Sequence, residues 1–74
     1  MSALENQIGG EHYLKMKIRP FDLSMANGLN AVQHTAIKYI MRYNLKNSNG
    51  LEDLQKARHC IDWLIEYEYG ISVE

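Results

Sequence analysis

Four side chains in the middle of the chain, His34, Lys38, Arg42 and Lys46, recur at every fourth position. On an α-helix each step of four residues drifts by only about 40°, so they form one slanting ridge. No Asp or Glu occurs between Asp22 and Glu52, so nothing nearby in sequence neutralises that ridge. Like charges at this spacing repel by roughly 0.2–0.5 kcal/mol per pair, a penalty that a bound anion removes. Arginine grips two phosphate oxygens with its planar fork, while lysine acts as a point charge. Two readings stay open. The ridge is a phosphate site, or it is a solvated basic face paired with acids from a neighbouring helix.

A second group follows. Glu52 and Lys56 are an i, i+4 ion pair whose plain role is helix support. Asp53, Lys56 and His59, at i, i+3 and i+6, would place a carboxylate, an ammonium and an imidazole along one flank. A helix starting here adds free N–H groups and partial positive charge. Arg42, Lys46 and that helix start therefore converge on one loop, a phosphate pocket that needs no glycine-rich turn. Arg42, on the polar side of its helix, is the strongest candidate, and Arg42→Ala should weaken anion binding without unfolding the chain. Other chemistries lack their residues. There is no G-x-x-x-x-G-K-[ST], no G-x-G-x-x-G and no metal-type Cys/His cluster. Cys60 and His59 are adjacent, so on a helix they diverge by about 100°, and a buried free thiol is the simpler reading. Glu52 and Asp53 alone are too few carboxylates for a two-metal site. Trp63 and Tyr67, four apart, suit packing or an interface better than base stacking.

These residues need elements to hold them. Gly9-Gly10 breaks regular structure, and "YLKMKI" alternates apolar and charged residues like a short extended segment. Arg19 precedes Pro20, which suits Pro20 as a first helical residue. A short helix over roughly Phe21–Ala26 ends at Asn27-Gly28. Asn30 and Gln33 have capping-box spacing, and the helix they open runs to about Asn44. "NSNG" marks a turn. Asn49 and Glu52 repeat the box spacing and open a third helix, running to Tyr67 or Tyr69 before Gly70. Two long helices on a short loop pack as an antiparallel hairpin. The fold class is all-α: a helical hairpin with a short extra helix, residues 20–74, and an irregular N-terminal arm, residues 1–19, in one small domain.

Apolar periodicity assigns the core. On the third helix Leu51, Leu54, Ala57, Ile61, Leu64 and Ile65 form one stripe. On the second, Val32, Ala36, Tyr39, Ile40 and Tyr43 form its counterpart. Ile37 and Met41 widen that face beyond one packing stripe, and Trp63 and Tyr67 add further apolar area, so a homo-oligomer is expected. The chain has 74 residues and one cysteine. At that size a lone core supplies only roughly 3–5 kcal/mol, and self-assembly enlarges it. One unpaired thiol fits a reducing cytoplasm, and no leader-like or membrane-length apolar run occurs. A formal net charge of −1 argues against general nucleic-acid binding.

Taken in order, "GGEHY", "IRPFD", "AIKYIMRYNLKN" and "GLEDLQKARHCIDWLI" resemble a small bacteriophage family of uncharacterised domains. Its pattern is a G-G-x-H-Y start, a K-Y-x-x-R-x-x-x-K helix and an E-D-L-x-K-A helix. Its best-described branch is a phage nucleotide kinase without a P-loop. The resemblance spans roughly residues 7–67. It implies nucleotide-binding roles for His12, Tyr13, Lys38, Tyr39, Arg42, Lys46, Asp53 and Lys56, with Glu52 in the same motif. Cys60 stands where the family often has an aromatic. In this reading Gly9-Gly10 lets the arm turn so that His12 and Tyr13 close over the basic ridge.

Three functions follow as expectations. One is a nucleoside monophosphate kinase, catalytic residues unassigned, working by positioning and cations, usually with Mg2+. The second is a non-catalytic module that sequesters a host nucleotide signal, an anti-defence role in the host cytoplasm. The third is a protein-binding or assembly factor that uses the wide apolar face.

Overall fold

The computed structural model describes residues 16–45 and 49–73. The arm residues Gly9, Gly10, His12 and Tyr13, and Lys46 in the inter-helix loop, lie outside that set. Among the described residues the chain is all-helical, with three helices and no strand.

Helix α1 spans Pro20–Asn27, with Pro20 in its first turn and Arg19 extended before it (φ −80°, ψ 154°). Arg19 Nε donates to Asp22 Oδ2 at 2.9 Å, which puts a carboxylate at the positive helix end. The helix stops at Gly28, whose left-handed φ of 63° costs a glycine nothing. Helix α2 spans Ala31–Arg42 and carries a complete capping box. Gln33 N donates to Asn30 Oδ1 at 2.8 Å, and Asn30 N donates to Gln33 Oε1 at 2.9 Å. Its regular span ends two residues before the expected Asn44, with Tyr43 as C-cap and a turn through Leu45.

Helix α3 spans Gly50–Tyr69 and closes on Gly70 at φ 66°. Its start differs from expectation. Asn49 adopts φ 63° and makes no side-chain cap. Left-handed backbone at this position turns its side chain away from the first-turn amides, so no capping box forms. Glu52 instead pairs with Lys56 Nζ at 3.3 Å.

Helices α2 and α3 pack as the expected hairpin. Arg42 meets Asp53 and Tyr39 meets Lys56, so contacts move up one helix as they move down the other. That is antiparallel packing. Ala36 and Ala57 are the buried apolar residues of α2 and α3, and their small side chains let the axes approach closely. Gly50 tightens the hairpin's closed end, because a Cβ there would stand 2.6 Å from the Tyr43 carbonyl oxygen. Helix α1 joins the other side of α2 through Ser24, buried, whose Oγ lies 2.7 Å from His34 Nδ1. The Phe21 ring stands edge-on to the same imidazole.

The expected α3 stripe is only partly covered. Ala57 is buried, but Leu51, Leu54 and Ile61 are 70%, 39% and 46% exposed. The covered edge runs through Asp53, Ala57, Cys60, Leu64 and Ile65, so the expected stripe holds at Ala57, Leu64 and Ile65 and fails at Leu51, Leu54 and Ile61. A directed ion pair from Asp53 to α2 pulls that flank inward, and apolar side chains, which have no directional preference, yield to it. Ile40 on α2 is likewise 46% exposed.

Candidate functional site

Tyr39, on the α3-facing side of α2, gathers the cations. Lys38 Nζ lies 5.1 Å from its ring centroid, the Arg42 guanidinium carbon 4.8 Å, and Lys56 Nζ, from α3, 5.6 Å. Lys38 and Arg42 share one flank of α2 through their spacing of four, and the hairpin brings Lys56 to them. A ring face attracts cations, and each of the three heads stands within reach of this one.

Two carboxylates partly balance this group. Asp53 is 1% exposed, and it accepts from Arg42 Nε at 3.4 Å and Nη2 at 3.3 Å. Glu52 holds Lys56 in a half-exposed pair. Among the described residues, three cations thus meet two carboxylates. Lys38 makes no ion pair among the described residues. An exposed pair such as Glu52–Lys56 contributes only about 0.2–1 kcal/mol, so little free energy ties Lys56 to Glu52. The arrangement offers Lys38 and Lys56 as point charges, and Arg42 as a fork held in place by Asp53.

The structure thus brings together Lys38, Tyr39, Arg42, Asp53 and Lys56 from the sequence-derived set. His12, Tyr13 and Lys46 lie outside the described residues. Three expectations change. Arg42 is not on a solvated polar side: its side chain is 20% exposed and spans the helix interface. Asp53, Lys56 and His59 do not share a flank, because steps of three fall back about 60° each; Asp53 turns inward while Lys56 and His59 face solvent. His34 leaves the ridge altogether and binds Ser24. The Ser24–His34 contact was missed, since it joins residues ten apart on different helices and no spacing rule announces it.

The described residues hold no cluster of metal ligands. Glu52 is engaged by Lys56, Asp53 by Arg42, and no group of three or more His, Cys, Asp or Glu side chains could hold a metal among them. No helix in that set is long and apolar enough to cross a membrane.

These features define a small all-helical domain with an aromatic-centred cation cluster. The chain belongs to the family described as "protein of unknown function (DUF3310)", whose model matches residues 8–62. That span includes every residue of the cluster. No curated protein and no solved structure matches the chain.

Proposed function

We propose that this protein binds a phosphate-bearing small molecule, in the first place a nucleotide, at the Tyr39-centred cluster. The observation that carries the reading is the convergence of Lys38, Arg42 and Lys56 within 5.6 Å of one ring. Arg42 and Lys56 have partners in Asp53 and Glu52, but packing gives no such reason for Lys38 to stand over the same ring. Resemblance of the motifs to a bacteriophage family extends the reading to a phage-encoded protein, and its nucleotide-kinase branch names phosphoryl transfer as the activity to test. Binding without turnover, in which the chain sequesters a host nucleotide signal against defence, draws on the same cations. Calorimetry with mono-, di- and cyclic nucleotides, beside a turnover assay with radiolabelled triphosphate, separates these outcomes. The proposal expects saturable binding that Lys38→Ala weakens about tenfold, the loss of one charge-assisted contact. No binding of any nucleotide or polyphosphate would end it.

A second reading rests on the apolar side of the hairpin. Ile40, Leu54 and Ile61 are each 39–46% exposed on packed helices. Exposed large apolar side chains on packed helices can mark association sites, and the occupant proposed is a second copy of the chain, whose buried area would supplement a core of small residues. Sedimentation at micromolar concentration decides it: a dimer or larger species is expected, and a monomer would contradict it.

A further inference from the structure

Beyond the cation cluster, α3 presents two partly exposed aromatic rings. Trp63 and Tyr67 stack face to face, centroids 4.8 Å apart and planes 10° from parallel. They remain 45% and 73% exposed. A stack of two rings keeps two outer faces, and solvent reaches both residues. Their place on the helix matters. Trp63 follows Lys56 by seven residues and Tyr67 by eleven, which puts each within about 20° of Lys56 around the axis. The rings therefore continue the flank that carries the cluster, displaced from Lys56 by roughly 10–16 Å along the helix. Single exposed aromatics are common and mean little. A pre-stacked pair on the same flank as three cations has the two components of a nucleotide site, a π-face for a base and positive charge for phosphates.

The geometry points to a base-stacking platform at Trp63 and Tyr67 that works with the Tyr39 cluster to hold a nucleoside di- or triphosphate lengthwise along α3. This rests on the anion-site reading above and extends it. The base lies on the aromatic pair, and the terminal phosphates reach Lys56, Lys38 and Arg42. A nucleoside monophosphate is too short to fill both ends and binds at one of them. Inorganic tripolyphosphate fills only the cationic end. Charge complementarity favours this occupant over an apolar one, since a ligand laid on the rings toward the loop passes His59 and Cys60 and then reaches Lys56.

Trp63 is the only tryptophan, so its emission reports the platform directly. The test titrates the full chain with adenosine, guanosine, cytidine and thymidine diphosphates, the matching monophosphates, and inorganic tripolyphosphate, following fluorescence and heat together. At least one diphosphate should quench Trp63 and bind roughly five- to a hundredfold more tightly than its monophosphate and than tripolyphosphate, the gain expected from stacking one base. Tyr67→Leu, at a site 73% exposed, should erase most of that gain and leave tripolyphosphate binding unchanged. Equal binding of diphosphates and tripolyphosphate, with Trp63 emission constant, would overturn the platform and leave the anion site standing. Tighter diphosphate binding that survives Tyr67→Leu would also overturn it, placing the base elsewhere. If no compound binds, both the platform and the anion site fail.

Discussion

The pair between Arg42 and buried Asp53 determines how the site can be probed, and Arg42→Ala is the sharpest perturbation of it. The substitution removes two charge-assisted hydrogen bonds, at 3.4 and 3.3 Å, from a carboxylate that is 1% exposed. A bond to a charged group contributes about 1.5–3 kcal/mol, and removing one partner of a fully buried pair costs roughly 3–5 kcal/mol. Both bonds here are long, and the Arg42 side chain keeps 20% of its exposure, so a value at or below the bottom of the buried-pair range applies, about 2–3 kcal/mol. A chain of 74 residues has a total stability of about 4–11 kcal/mol, so this is a large share. Each kcal/mol moves the midpoint of so small a domain by about 4–8 °C, and the expected fall in Tm is roughly 10–20 °C. Arg42→Lys keeps the charge but loses the fork, and should recover part of the loss. Thermal melts followed by circular dichroism measure both. A loss below about 0.5 kcal/mol for Arg42→Ala would refute the reasoning, because the pair would then behave as an exposed one.

Other substitutions test separate joints. Gly50→Ala, ordinarily stabilising in a helix, should instead destabilise by about 1–3 kcal/mol, because its Cβ would sit 2.6 Å from the Tyr43 carbonyl oxygen; an unchanged denaturant midpoint would show that the hairpin end can give way. Ser24→Ala removes a buried hydroxyl 2.7 Å from His34 Nδ1 and should cost about 1 kcal/mol, read from the same urea curves. Ala57→Leu forces a larger side chain into a site 3% exposed between α2 and α3, with an expected loss of about 1–3 kcal/mol. Leu54→Asp and Ile61→Asp should shift sedimentation towards monomer while far-ultraviolet dichroism stays unchanged; an unaltered sedimentation profile would remove that face from the interface.

Local rules carried much of the fold. Pro20 and Gly28 bound α1, the Asn30–Gln33 box opens α2, and Gly70 closes α3, each by backbone chemistry confined to a few residues. The same rule failed at Asn49 because capping spacing says nothing about φ, and a left-handed backbone there cancels it. Apolar periodicity located a hairpin but misplaced its inner edge. It counts Leu51, Leu54 and Ile61 as core, yet cannot weigh a carboxylate such as Asp53 that finds its arginine only after the helices meet. For the same reason Arg42 looked solvent-facing. Spacing alone drew His34 into the ridge with Lys38, whereas a contact from α1 claims it. Lys56 joining Lys38 and Arg42 at Tyr39 required knowing the hairpin register, which no single helix encodes; the family-like motif singled out those residues without saying that they meet.

Because Arg42 also holds the helices together, the central claim is best tested without altering the chain. Uniformly 15N- and 13C-labelled protein, titrated with a nucleoside diphosphate and observed by NMR, reports on each lysine ammonium and tyrosine ring separately. If the Tyr39 cluster binds phosphate, the largest saturable shifts will fall on Lys38, Tyr39, Arg42 and Lys56, with Lys17, ahead of α1, unmoved. Shifts centred on any other part of the chain, or none at millimolar ligand, would contradict an anion site at Tyr39.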